Sequence, residues 1–182
     1  MAMSPNSILM KEHAAAIEAC AQRIQNRCQK IKKDAGSDCH ELRIISPTGK
    51  GLRRQDSHGS GVYGASRLGN DKWGERKYHR GNDFLCEPGQ DIVCPIFGAR
   101  ILRVANPYAD DQNYSGLFIR NAHMAIYLFY IQPDMSLIGE HVHLFDVIGT
   151  AQDISKKYSP GMQPHVHLQI TDIDASLFME DV

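Results

Sequence analysis

Near Gly36 the hydrophobic period of the chain changes, and that change limits the fold more than anything else in the sequence. Upstream, Ile17, Cys20, Ile24, Cys28 and Ile31 recur at spacings of three and four, behind a Ser4-Pro5 start of the kind that caps a helix. Lys30, Lys32 and Lys33 fall where a helix dipole favours cations, and Gly36 supplies a stop. Downstream, short apolar runs bounded by glycine, proline or aspartate follow one another: LRIIS, DFLC, DIVCPIFGARILRVA, GLFIR, MAIYLFYI, HVHLFDVIG and HVHLQI. They are rich in the branched and aromatic residues that pack well on a pleated surface. The pattern predicts an amphipathic helix over 4–33 within an N-terminal extension, 1–40, and a mainly β, antiparallel domain over 41–182, α+β overall. EPGQ after Cys86 and RNAH before Met124 read as hairpin turns. The stretch from Lys50 to Lys77, glycine-rich and without alternation, reads as a long loop of the sort that shapes a cleft.

Charge narrows the partners. Twenty basic residues against twenty-one acidic ones leave a formal charge of −1, so bulk electrostatics makes no case for nucleic acid or for an anionic membrane surface. The apolar runs are far shorter than the roughly 20 residues of a membrane helix, so no membrane insertion is expected. MAMSPNSILMKEHAAAIEAC is broken by Lys11, Glu12, His13 and Glu18 and lacks the apolar core of a signal peptide. Five cysteines without close CxxC spacing allow one disulfide but no disulfide scaffold. Cys20 and Cys28, on one helical stripe, read as small buried hydrophobes.

The chemistry-bearing residues are histidines. HVH occurs twice, at His141/His143 and at His165/His167, and on a strand such a pair projects both rings from one face, about 6 to 7 Å apart. One ring can then bind a metal while the other serves as acid or base. Tyr78-His79-Arg80-Gly81-Asn82-Asp83 adds an HxGxD motif running into DFLC, and a turn at the glycine would bring imidazole and carboxylate onto one cation. Adding one histidine from an HxH pair gives two histidines and a carboxylate, with the fourth tetrahedral position open, the mark of catalytic rather than structural zinc. The unligated histidine then stands where a general base is needed. Spacing alone leaves open which doublet takes part.

At these residues the chain resembles the lysostaphin and LytM type zinc metallopeptidases, whose motifs are HxxxD and a C-terminal HxH. The resemblance covers roughly Gly51 to Asp172. It includes SGVYGASR (Ser60 to Arg67), HRGNDFLCEPGQDIVCPIFGARILRV with its Cys94-Pro95-Ile96-Phe97-Gly98 turn, and SPGMQPHVHLQITD. DSHGSGVYGASR, HRGNDFLC and LFYIQP are closer still to the leukocyte cell-derived chemotaxin branch of that fold. The first half of that branch's cysteine framework is missing, with Gln55 and Ser60 in place of cysteines, Ala125 replaces another, and only Cys86 matches. The resemblance assigns GEHVHLFDVIG to a structural hairpin. It implies that His79, Asp83 and His167 ligate Zn2+ and that His165 is the general base or transition-state stabiliser.

The resemblance also implies an endopeptidase acting on the peptides of bacterial cell-wall peptidoglycan, in the periplasm or outside the cell. With no visible signal, a delivered antibacterial toxin or a phage lysin is expected, the former with an immunity protein. Active relatives carry a further histidine in a tyrosine-x-histidine-leucine motif, and here that position falls on Ile131 or Gln132. Losing one preorganised donor typically costs about 10²- to 10³-fold in rate. The chemotaxin branch lacks this histidine too and is regarded as non-catalytic, so the alternative expectation is a zinc-bearing recognition module. Arg67, Tyr78, Arg80 and His58 are the candidate substrate contacts, with Trp73 a further aromatic of the cleft loop.

Overall fold

The computed structural model describes residues 43–70, 75–158 and 161–170. The predicted helix over 4–33, Cys20, Cys28, Cys39 and Trp73 lie outside the described residues. Within them the chain is antiparallel β structure. The strands are β1 (Ser66–Asn70), β2 (Arg76–Tyr78), β3 (Asn82–Leu85), β4 (Asp91–Val93), β5 (Ala99–Ala105), β6 (Gly116–Arg120), β7 (Ala125–Phe129), β8 (Ile131–Pro133), β9 (His141–Val142), β10 (Val147–Ala151) and β11 (His165–Ile170). Short 3-10 turns at Met135–Leu137 and Ile154–Lys156 are capped by Asp134 and Asp153.

A six-stranded sheet runs β3-β11-β7-β6-β5-β9, a three-stranded sheet β4-β10-β8, and β1 pairs with β2. Alternation decides which face is buried. Val166, Leu168 and Ile170 of β11, Ile126 and Leu128 of β7, Leu117 and Ile119 of β6 and Ile101 of β5 join one core with Ile92, Ile131 and Ile148 of the smaller sheet. Each such aliphatic side chain, removed from water, contributes about 1.5 to 3 kcal/mol. The opposite face of β11 carries His165, His167 and Gln169, so the period of two that builds the core also aims both histidines away from it.

Several turns differ from their sequence reading. RNAH does close a hairpin, with Arg120 opposite Ala125 and the Asn121 N–H donating to the Met124 carbonyl. EPGQ is a tight turn, with Gly89 at φ 80°, but it joins β3 in one sheet to β4 in the other and is not a hairpin. GEHVHLFDVIG is likewise no hairpin. β9 pairs with β5, β10 pairs with β4 and β8, and Phe145 at φ 72° with the Asp146 side chain on the His143 N–H turns the chain between sheets. The expected loop from Lys50 to Lys77 contains β1 and the start of β2, an irregular pair whose broken register hides the alternation. Among the described residues of LRIIS, 43–46, one bridge forms, Ile44 to Ile96.

Candidate metal centre and catalytic cleft

Three elements bring the candidate ligands together. Asp83 on β3 and His167 on β11 are directly paired across the ladder, and Phe129 of β7 flanks His167 on the other side. His79 follows β2 and is tied to the SGVYGASR segment, its N–H donating to the Ala65 carbonyl and its carbonyl accepting from the Gly64 N–H. One ligand atom from each of His79, Asp83 and His167 lies within 4.8 Å of the other two. His79 Nε2 is 2.9 Å from His167 Nδ1 and 3.2 Å from Asp83 Oδ1, and His167 Nδ1 is 2.9 Å from the same oxygen.

Outer partners set the tautomers. His79 Nδ1 lies 3.0 Å from the Val62 carbonyl, which only accepts, so Nδ1 carries the proton and Nε2 turns its lone pair to the centre. The Val62 carbonyl is thus what the SGVYGASR segment contributes to the site. His165 Nδ1 donates to the Gln163 carbonyl at 2.7 Å, which leaves Nε2 as an acceptor 3.6 Å from Asp83 Oδ2. Burial pushes the His165 imidazole below its ordinary value, against the opposing pull of Asp83, and so favours the neutral base.

The donor set fits zinc. Two imidazole nitrogens and one carboxylate oxygen converge with their lone pairs on one small volume, where they must share either protons or a cation. Two histidines and a carboxylate suit zinc among the common divalent ions.

Gly81 works differently from its sequence reading. Its backbone does not occupy the left-handed region; instead, a Cβ there would run into the Leu168 carbonyl and come within 2.7 Å of His167 Nε2. The motif needs glycine because the His167 ring occupies the space.

The centre opens into a pocket of about 660 Å³, a size typical of ligand sites. His58 and Arg67 line it, with Arg67 donating to the Ser60 carbonyl at 2.7 Å and His58 tilted against Tyr158. Tyr78 and Arg80 are exposed and lie outside the lining, as do His141 and His143 on and just beyond the edge strand β9. Neither Ile131 nor Gln132 reaches the pocket: Ile131 is buried in the core and Gln132 faces outward on β8. Tyr130, at φ 67°, takes the cleft position, with its hydroxyl 3.1 Å from that of Tyr108.

Arg53, absent from the sequence reading, lines the pocket beneath the site. Arg53 is 2 % exposed; it donates to Asp83 Oδ2 at 2.7 Å and pairs with Asp56 Oδ2 at 2.7 Å. In LRRQD it looks like an ordinary surface charge beside Arg54, and only its three-residue spacing to Asp56 hints at a pair.

Among solved structures, the chain is similar to the catalytic domain of the antimicrobial peptidase lysostaphin from Staphylococcus simulans, at 20% identity over 68% of this chain and 86% of that one, with a TM-score of 0.44. It is similar to a zinc containing peptidase from Vibrio cholerae, at 18% identity over 77% of this chain and 41% of that one, with a TM-score of 0.48. A protein of Pseudomonas aeruginosa assigned to peptidase M23 gives 15% identity over 75% of this chain and a TM-score of 0.48, and the chain spans 50% of its length. No family model and no curated protein matches the chain. Its likeness to the lysostaphin and LytM type peptidases is one of fold and motif.

Proposed function

We propose that the chain is a zinc-dependent endopeptidase that hydrolyses peptide bonds in bacterial cell-wall peptidoglycan. The observation that carries this reading is the convergence of His79, Asp83 and His167 beside a fourth histidine, His165, whose tautomer is already set for accepting a proton. The substrate class follows the motif resemblance. Zinc in such a set supplies Lewis-acid polarisation of a carbonyl and an acidified water at neutral pH.

His79 Nε2, Asp83 Oδ1 and His167 Nδ1 would hold the ion. His165 Nε2 takes the proton from the attacking water and returns it to the leaving nitrogen, so a peptide bond and a water become a carboxylic acid and an amine. The Gln163 carbonyl stabilises the imidazolium through Nδ1 while that proton is held. Arg67 and His58, both on the pocket wall, are the candidate substrate contacts.

The position of action belongs to the same proposal: periplasm or extracellular space, reached as a delivered antibacterial effector or as part of a phage lysin, with an immunity protein guarding a producing cell. Expression with periplasmic targeting should lyse a susceptible host, and survival of that host would count against delivery as an effector.

One observation favours a second reading. Neither Ile131 nor Gln132 supplies the missing histidine, and the cleft position belongs to a tyrosine. A recognition module, with zinc ordering the loops and no cleavage, fits that substitution. Digestion of purified peptidoglycan by the zinc-loaded protein, with fragments identified by mass and His165→Ala as control, separates the two. New peptide termini that vanish in the control establish the endopeptidase; full zinc occupancy without fragments leaves the recognition module.

A further inference from the structure

The buried Arg53 guanidinium touches both halves of the candidate machinery. Its side chain donates to Asp83 Oδ2, the oxygen that Asp83 does not turn toward His79 and His167. Its backbone grips the same residue: the Arg53 N–H donates to the Asp83 carbonyl at 2.7 Å, the Asp83 N–H donates to the Gly61 carbonyl, and the Gly61 N–H returns to the Arg53 carbonyl. The other arm pairs with Asp56 Oδ2 and donates to the Gly59 carbonyl at 2.8 Å. Asp56 Oδ2 in turn accepts from the Gln163 N–H at 3.0 Å, and the Gln163 carbonyl is the group that holds His165 Nδ1.

We propose that Arg53 is a positioning residue that restricts Asp83 to one-oxygen metal ligation and, through Asp56 and the Gln163 backbone, fixes His165 relative to that carboxylate. A carboxylate left alone can chelate a cation through both oxygens. Here one oxygen is committed to a planar, permanently charged donor that is 2 % exposed. A ligand carboxylate with one oxygen neutralised this way would donate less charge, so a bound ion would remain a stronger Lewis acid. Lysine cannot substitute, because one ammonium cannot span Asp83 and Asp56 with the fixed fork that arginine provides. Among the described residues Arg53 Nε has no hydrogen-bond partner, so the bonds the guanidinium makes there come from its two terminal nitrogens.

This inference rests on the zinc reading of the site, and metal spectroscopy tests it apart from peptidase activity. In the full-length protein, Arg53→Lys should still bind zinc, measured by competition with a chromophoric chelator, so that its effect is read in the coordination of the ion. The cobalt-substituted variant should lose the intense visible bands of four-coordinate cobalt as Asp83 Oδ2 joins the ion. An unchanged cobalt spectrum in a folded, metal-loaded variant overturns the proposal. X-ray absorption of the zinc-loaded, unsubstituted protein needs no variant to fold. A carboxylate bound through one oxygen is expected, and a chelating carboxylate overturns the proposal. For the second arm, Asp56→Asn should leave the cobalt spectrum intact while the His165 Nδ1–H resonance broadens or disappears; a sharp, unshifted resonance breaks the link to His165. Failure of the unsubstituted protein to bind zinc at all would remove the zinc reading itself, a different result from zinc binding that ignores Arg53.

Discussion

Tyr130 stands edge-on to His165, with ring centroids 5.4 Å apart and planes meeting at 86°. It reaches that place through a left-handed backbone, φ 67°, which breaks MAIYLFYI into β7 and β8 and switches the chain from the large sheet to the small one. Such a conformation in a bulky residue costs on the order of 1 to 3 kcal/mol and persists only where the surroundings enforce it. Here the Tyr130 and Ile131 N–H groups both donate to the Ser115 carbonyl, and the Tyr130 ring fills the wall between His165 and Tyr108.

Restoring a histidine by simple replacement should therefore fail. Gln132→His would place the ring outside the pocket, leaving peptidoglycan digestion unchanged. Ile131→His would bury an imidazole in the core and cost about 2 to 5 kcal/mol, read as a lower denaturant midpoint. Tyr130→Ala should depress turnover more than Tyr130→Phe, which keeps the ring and loses only the Tyr108 contact. A gain of activity in Gln132→His would show that the outward strand position is not the one occupied in solution.

Gly81 gives a sharper test of packing at the centre. Gly81→Ala must displace either the Leu168 carbonyl or the His167 ring, since its Cβ would lie 2.7 Å from Nε2 and 2.8 Å from Cε1 of that histidine. Zinc affinity should fall at least about tenfold, in the range seen when ligand orientation is disturbed. Gly64, at φ 74° with open space where a Cβ would stand, is the contrasting control: alanine there strains the backbone and lowers stability by about 1 kcal/mol, with little effect on metal affinity. Equal affinities for zinc in the two variants would contradict the packing argument.

How much of this was legible in the sequence depends on the range of the interaction. The alternation in HVHLQI and MAIYLFYI places one face in the core and aims His165 and His167 away from it, and that is local information. The distinction between a hairpin and a crossing between sheets is not local. EPGQ has the residues of a tight turn in either case, and only the pairing of β3 with β11 and of β4 with β10 decides it. Arg53 was hidden for the same reason. A charged residue in a polar loop reads as solvated, and its burial follows from Asp83, thirty positions away, arriving beneath it. Gly81 was visible as a motif residue but with the wrong cause, because the crowding comes from β11.

The buried thiols give a pH dependence with a definite sign. Cys86 and Cys94 are unbridged and buried; burial pushes the Cys86 thiol up to about 12 and the Cys94 thiol up to about 11. The folded state therefore holds these protons more tightly than the unfolded chain, where thiols titrate near 8.5. Their contribution to stability is intact below that unfolded value and is lost as pH rises toward about 11 to 12. At pH 8, peptide mapping after iodoacetamide should find both residues unmodified in the native protein and modified in denaturant. Rapid native labelling of Cys86 or Cys94 would contradict their burial.

Asp56 contributes to the acid limb. Burial raises its carboxyl, but the Gln163 and His58 N–H groups and Arg53 outweigh burial and hold it below the usual carboxylate range. A depressed folded value means that its contribution is present above the ordinary value near 3.9 and disappears as pH falls through the lower, folded one. Asp56→Asn should cost about 1.5 to 3 kcal/mol at neutral pH, the scale of a charge-assisted hydrogen bond, and should make the acid limb shallower. An acid limb identical to that of the unsubstituted protein would assign acid sensitivity to other carboxylates.

Metal removal should leave the fold and remove only an increment of stability. The core joins the large and small sheets through Ile92, Ile131, Ile148, Leu117, Ile119 and Leu128, none of which depends on the ligand cluster. The candidate ligands are moreover positioned by the β3–β11 ladder and by the Val62 carbonyl on His79. Chelation should therefore leave the far-ultraviolet circular dichroism unchanged, unlike in a zinc finger, whose folding energy is its metal binding. Free zinc at 100 times its dissociation constant should add about 2.7 kcal/mol. For a domain of this size that increment corresponds to a rise of about 5 to 10 °C in Tm. The rise should be absent in His79→Ala and His167→Ala and retained in His165→Ala, because the proposed ligand set does not include His165. A zinc-dependent Tm that vanishes in His165→Ala while persisting in His79→Ala would reassign the ligands.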